Sequence, residues 1–243
     1  MKIISSSLYG KDPMYSVGAV ENVKLAKEIY RDWKYIMYVE DREELRDVMQ
    51  EMTELGAKVV PCPTPDGNFG MYWRFLPISL PADHIIIRDV DSRITRREAL
   101  SVLEWTVSGM DCHVIRDHPH HSKFNLMGAN WGIRGGIITD VHKRILKWGH
   151  WEKKGSDIFF LEKNVWPDVA GSCMYHGIDG RSMDDRQYGE PFFGQIVDED
   201  GVMLDFGAES DERMMKRSKL YGKAEWPSKG DSLWRLWQTQ EPS

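Results

Sequence analysis

The stretch Tyr35 to Val60, YIMYVEDREELRDVMQEMTELGAKVV, decides the fold. It opens with a compact apolar run, YIMYV, that reads as a buried strand. Asp41, followed three residues later by Glu44, matches a helix N-cap and its capping box, and Leu45, Val48, Met49, Met52 and Leu55 then share one helical face. Gly56 offers a stop, and Ala57 to Val60 begins a second apolar strand. Two strands joined by an amphipathic helix make a crossover unit, so the strands are expected to be parallel.

The same alternation extends outward in both directions. Upstream, KIISSSLYG (residues 2–10) reads as a first strand entering a loop, and Val23, Ala26, Ile29, Tyr30 and Trp33 recur with helical spacing from Val20 onward. Downstream, the Pro61 to Gly70 loop leads to a short helix at Tyr72 to Leu76 and an apolar strand at His84 to Ile87. Thr95 and Glu98 box the start of a helix over Arg96 to Ser108, ahead of a strand at Cys112 to Ile115. The fold class expected is α/β, a Rossmann-like, mainly parallel sheet flanked by helices.

Beyond Arg116 the alternation weakens. Residues 116–136 are rich in His, Gly and Asn and form a long irregular segment of the kind retained for function. A helix over Ile138 to Trp148, an apolar stretch at Ile158 to Val165 and a hairpin around Asp198 to Gly201 follow. One domain over residues 1–206 is expected, with a C-terminal extension over 207–243 that packs on it or contacts the acceptor.

Composition narrows the function classes. With 41% hydrophobic and 29% charged residues, the 243-residue chain describes a folded protein with a sizeable core. A net charge of -6 argues against non-specific coating of nucleic acid. Basic patches run through Lys143, Arg144, Lys147, Lys153 and Lys154, and through Arg213, Lys216, Arg217, Lys219 and Lys223; both also fit solvated helix faces. No stretch has the roughly 18 to 20 apolar residues of a membrane span. The N-terminus turns polar too soon for a signal peptide, so a cytoplasmic location is expected. Cys62, Cys112 and Cys173 are far apart and lack CxxC spacing, which points to reduced, structural thiols.

The densest chemistry lies in HIIIRDVDSR (residues 84–93), where a buried strand runs into Asp89, Val90 and Asp91. Alternate residues of an extended chain point the same way, so both carboxylates can address one ligand at the strand's C-terminal end. Hard oxygen donors suit Mg²⁺ or Mn²⁺, which can neutralise a departing diphosphate. A structural ion-pair cluster with Arg88 and Arg93 is the plain alternative. A second signal, HVIRDHPHHSKFNLMGANWG (residues 113–132), places His113, His118, His120 and His121 within nine residues. It reads either as a zinc site or as a substrate-facing loop in which imidazoles and Asn130 meet hydroxyl groups and Trp131 offers a flat face.

The chain resembles a GT-A-like glycosyltransferase family of bacterial glycan loci and large viruses. The resemblance is carried by Ser7 to Gly10 as SLYG, Arg88 to Arg93 as RDVDSR with Arg97, Glu98, Glu104 and Trp105 after it, Arg116 to Pro119 with His121 as RDHPxH, and Gly128 to Gly132 as GANWG. GSDIFFLEKNVWP adds a second acidic position at Asp157. Ile158 departs from a frequent Gln, and Ala129 from a glycine pair.

The resemblance implies a nucleotide-sugar donor, a divalent cation (Mn²⁺ or Mg²⁺), and Asp89, Asp91 and His176 as metal-binding residues. Donor or substrate contacts fall to Ser7, Tyr9, Gly10, Arg74, Arg88, Asp89, His121, Asn130, Trp131 and Gly132. Asp157, with Asp117 and His118, would carry catalysis. The acceptor would be a glycan or a hydroxymethylated base in phage DNA. Rival readings are a DxD phosphatase of the haloacid dehalogenase type and a non-catalytic zinc or nucleic-acid-binding module.

Overall fold

Strand β1 (Lys2–Leu8) shows why the sheet is covered on both sides. Its residues alternate between two apolar clusters, Ile3 joining one and Ile4 the other. In β2 (Trp33–Glu40) Ile36 and Tyr38 face the first cluster while Met37 and Val39 face the second. Strands apolar on both faces need helices on both. The computed structural model describes residues 1–116, 121, 123–177 and 193–204.

Adding β3 (Lys58–Cys62), β4 (His84–Ile87), β5 (Cys112–Arg116), β6 (Trp131–Ile133) and β7 (Cys173–Gly177) gives a sheet ordered β3-β2-β1-β4-β6-β5-β7. Only β6 runs against its neighbours among these strands. Helices α1 (Pro13–Ile29), α2 (Arg46–Glu54) and α3 (Arg96–Ser108) cover one face. A 3-10 run over Phe69–Ser79 and helices α4 (Val141–Trp148), α5 (Ser156–Asn164) and α6 (Trp166–Val169) cover the other. The α/β class and the mainly parallel sheet are therefore as expected.

Because β6 is reversed, its start lies at the same edge as the C-terminal ends of β4 and β5, where Ile87 and Val114 both pair with Trp131. At that edge the chain leaves β1 at Tyr9, leaves β4 toward Asp89 and enters β6 from Gly128. The opposite rim holds Met1, whose ammonium meets Asp83 at 2.5 Å, together with the turns at Gly56 and Gly109.

Local details correct several sequence expectations. Helix α1 starts at Pro13 rather than Val20, because Asp12 accepts from Met14 N at 3.0 Å and Pro13 is pre-set for the first turn. Trp33 belongs to β2, not to that helix. The Asp41 carboxylate pairs with Arg46 at 3.1 Å instead of capping, and α2 begins only after a 3-10 turn at Glu43–Leu45.

Thr95 and Glu98 form the expected box: Thr95 caps α3, accepting from Glu98 N at 3.1 Å, and the Glu98 carboxylate takes a backbone hydrogen bond from Thr95 while also reaching inward to Arg88 and Tyr30. Strands β8 (Ile196–Val197) and β9 (Met203–Leu204) form the expected hairpin, its turn tied by Asp198 Oδ1 to Asp200 N and Val202 N. Cys62, Cys112 and Cys173 are free and buried. Among the described residues no helix is long and apolar enough to cross a membrane. The boundary at 206 and the 207–243 extension, with its basic residues, lie outside the described residues.

Candidate active site

Strand β4 continues its alternation past Ile87. His84, Ile86, Arg88 and Val90 point to the α1 and α3 face, and Asp89 points to the other, where it meets Arg74. Arg74 is the hub. It stands on the 3-10 run, 7% exposed, with Nη1 on Asp89 and Nη2 on Asp157 Oδ2 at 2.7 Å, and its backbone carbonyl accepts from Ser5 Oγ at 2.7 Å. A guanidinium whose fork spans two carboxylates fixes both.

Two carboxylates, Asp89 and Asp157, thus pair with one arginine at the C-terminal rim of β1 and β4, and a third, Asp91, lies near enough to feel its charge. Burial, and then the charge of Asp89, push the Asp91 carboxyl up to about 7, against the pull of Arg74 and Lys154. Burial, and after it Asp89, also raises the Asp157 carboxyl, with Arg74 opposing. Burial disfavours the Arg74 cation, but Asp89 and Asp157 outweigh it, so the group is held more firmly protonated than usual. Tyr9 sits over the cluster; burial raises its hydroxyl, as do Asp157, Asp89 and Asp91, while Arg74 lowers it.

Gly128, the first glycine of GANWG, allows this convergence, since a Cβ there would lie 2.6 Å from Arg74 Nη2 and 2.7 Å from Asp157 Oδ2. Gly70 admits the Tyr9 ring in the same way, at 2.5 Å. Gly10, at φ +79°, gives its N–H to Glu40 Oε2 at 2.8 Å and turns the chain off β1. Ser7 is buried beside it at the strand's end.

The loop carrying Asp91 is clamped from two sides. From α1, the fully buried Asn22 donates Nδ2 to the carbonyls of Val90 (3.2 Å) and Ser92 (2.7 Å) and accepts from Ile94 N at 3.0 Å. One turn earlier, Gly18 leaves room for this approach: a Cβ there would sit 2.0 Å from the Val90 oxygen. From the hairpin, Val197 N donates to Asp91 O at 2.8 Å, and Arg93 reaches Asp198 O at 3.3 Å. Sequence reasoning missed Asn22 and Gly18. Their i, i+4 spacing in α1 was visible, but its meaning depends on a loop some 70 residues away.

Other expected site residues are placed elsewhere. Arg88 is corrected from a phosphate or ribose contact to an internal one, 1% exposed, paired with Glu98 and lying 5.0 Å over the Phe193 ring. Trp131 presents no open face; at 1% exposure it is core, against Phe75, because its strand is sandwiched between β4 and β5. Gly132 is a packing glycine whose added Cβ would meet Trp105 at 2.7 Å and His113 at 2.9 Å.

His176 projects to the α3 face, with Nδ1 3.4 Å from His113 Nδ1 and Nε2 3.3 Å from Glu104, on the side of the sheet opposite Asp89. That placement does not bring it to the two aspartates. Asn130, at φ 71°, contacts His121 Nε2 at 3.4 Å, and burial lowers His121 to about 4. Asp117 and His118 lie outside the described residues. Among the described residues no group of three or more His, Cys, Asp or Glu side chains is placed to hold a metal ion, so any cation here would draw further ligands from a bound group or from water. Asp157 takes no capping role, since Gly155 holds the N-cap position of α5.

No known protein family matches the chain by sequence, and no curated protein does. Among solved structures, the chain is similar to glucosyl-3-phosphoglycerate synthase from Mycobacterium tuberculosis, determined with Mn²⁺, uridine diphosphate and glucosyl-3-phosphoglycerate. They share 10% identity over 72% of this chain and 69% of that one, with a TM-score of 0.46. A glycosyltransferase involved in glycosylating the major capsid of PBCV-1 is 12% identical over 72% and 81%, TM-score 0.46. A cytidylyltransferase from Leptospira borgpetersenii is 13% identical over 98% and 92%, TM-score 0.43. None is similar enough to lend this chain an activity.

Proposed function

We propose that the chain is a metal-dependent glycosyltransferase that moves a sugar from a nucleotide-sugar donor to a glycan hydroxyl. The observation that carries this reading is the charge balance at the rim: Asp89 and Asp157 both pair with Arg74, and Asp91 beside them, with no paired cation of its own among the described contacts, is driven up to about 7 by burial and by Asp89 against the weaker pull of Arg74 and Lys154. A divalent cation answers both, and hard carboxylate oxygens are donors that Mg²⁺ or Mn²⁺ accept. Asp89 and Asp91 would be its protein ligands, with diphosphate oxygens and water completing the shell. Bound there, the ion supplies neutralisation of the leaving diphosphate.

The chain's own residues do the rest. Arg74 orients Asp89 toward the donor and holds one oxygen of Asp157. Tyr9 and the Gly10 turn wall the donor side. Asp157, its basicity raised by burial, takes the proton of the acceptor hydroxyl or, in a retaining reaction, stabilises the oxocarbenium-like sugar.

Thermal unfolding measured across nucleotide sugars, with and without Mn²⁺, tests the proposal. One nucleoside diphosphate class should stabilise only with the cation; at about 100 times its Kd the gain is about 2.7 kcal/mol. Asp91→Asn should lose the cation-dependent part. Equal stabilisation of that variant would overturn the reading.

A further inference from the structure

The basic residues at the end of α4, in the loop after it and in the last turn of α5 are not used by the reaction proposed above, and they surround an aromatic floor. Lys147, Trp148, His150, Lys163 and Asn164 line a groove of about 300 Å³. Lys147, His150 and Lys163 are exposed and Trp148 is half-buried. Lys163 Nζ stands 5.6 Å over the Trp148 ring, and His150 meets that ring edge-on with centroids 5.3 Å apart. The indole is fixed from beneath: Nε1 donates to Tyr72 Oη at 3.1 Å, and Tyr72 Oη is 2.9 Å from Ser156 Oγ.

Ser156 immediately precedes Asp157. The groove is therefore two hydrogen bonds and one peptide unit from the acid that faces the acceptor. The loop between α4 and α5 connects the two places, and its Lys154 is close enough to act on the charge of Asp91.

We propose that this groove anchors the acceptor through a phosphate-bearing sugar unit, whose ring displaces Lys163 from the face of Trp148 and whose phosphate takes up the ammonium groups of Lys163 and Lys147. This rests on the glycosyl-transfer reading for its role, though not for its binding chemistry. An indole face with flanking ammonium groups suits a sugar ring's apolar face joined to an anion. A single platform favours this unit over a nucleic-acid strand, whose successive bases need successive aromatic faces. The groove's volume also suits one small unit and not a duplex.

The test reads the Trp148 indole N–H resonance by NMR, assigned with Trp148→Phe, during titration of the cation-free, donor-free protein. The probes are glucose 6-phosphate, glucose and a short single-stranded oligonucleotide. Glucose 6-phosphate should shift the resonance saturably, glucose should shift it far less, and Lys147→Glu with Lys163→Glu should weaken the phosphorylated sugar's apparent affinity at least tenfold while leaving the rest of the spectrum in place. An unshifted resonance, unchanged affinity in the double variant, or tighter binding of the oligonucleotide at the same residues would each overturn the proposal. Donor and cation are absent, so failure here leaves the nucleotide-dependent stabilisation unaffected, and loss of that stabilisation leaves this binding intact.

Discussion

At the scale of single residues, Arg74 and Asp91 set the behaviour of the site. Arg74 and Asp157 are both almost wholly buried, so removing the guanidinium leaves Asp157 without its partner. Arg74→Ala should cost about 3 to 5 kcal/mol in denaturant unfolding, and Arg74→Lys should recover only part, since an ammonium cannot span two carboxylates. Asp91 gives a signed pH effect. Its proton is held to about 7 in the folded chain and to about 4 in the unfolded one, so its contribution to stability is full below about 4 and lost as pH rises through 7. Asp91→Asn should therefore raise the melting temperature of the cation-free protein at pH 8, with the difference vanishing near pH 4. Cation binding to the native protein at pH 6 should release protons, measurable by calorimetry in buffers of different ionisation enthalpy.

Burial of His113 and His121 acts in the opposite direction. Their folded forms stay neutral well below the usual imidazole range, so the stability they contribute is present above about 6.5 and declines with falling pH, for His121 as pH passes through about 4.

At the scale of elements, α1 acts as both cover and clamp. Asn22→Ala should cost roughly 1 to 3 kcal/mol by stranding the Val90 and Ser92 carbonyls, and should weaken cation-dependent stabilisation more than a core substitution of equal cost, such as Val102→Ala. Strand β6 shows where sequence reading stops. WGI is three residues long, too short for a periodic signal, and its pairing to β4 and β5 spans distant parts of the chain; GANWG therefore read as a loop, and Trp131 as a ligand surface. By contrast β4 was legible, because three consecutive isoleucines and the DxD that follows obey one alternation. Arg88 broke the reading for the same reason: the alternation that turns Asp89 toward Arg74 sends its neighbour to Glu98.

At the scale of the whole molecule, the expected alternation of strands and helices was legible through β5, since each crossover is local in sequence. Later placements rest on long-range contacts. The hairpin reaches back about 105 residues to hold Asp91, and α5 delivers Asp157 to Arg74 across 83 positions, neither of which periodicity records. Fold and site also differ in how they are written: the core follows hydrophobic pattern, whereas the charged cluster exists only once three segments meet.

The two rims of the sheet divide the molecule for the experimenter. Met1, Gly56 and Gly109 all lie at the edge away from the acidic cluster. An affinity handle at Met1, or a dye attached through a cysteine introduced near Gly109, would tether the protein with its reactive side facing free solution. Surface-immobilised ligand measurements made that way should agree with those in bulk.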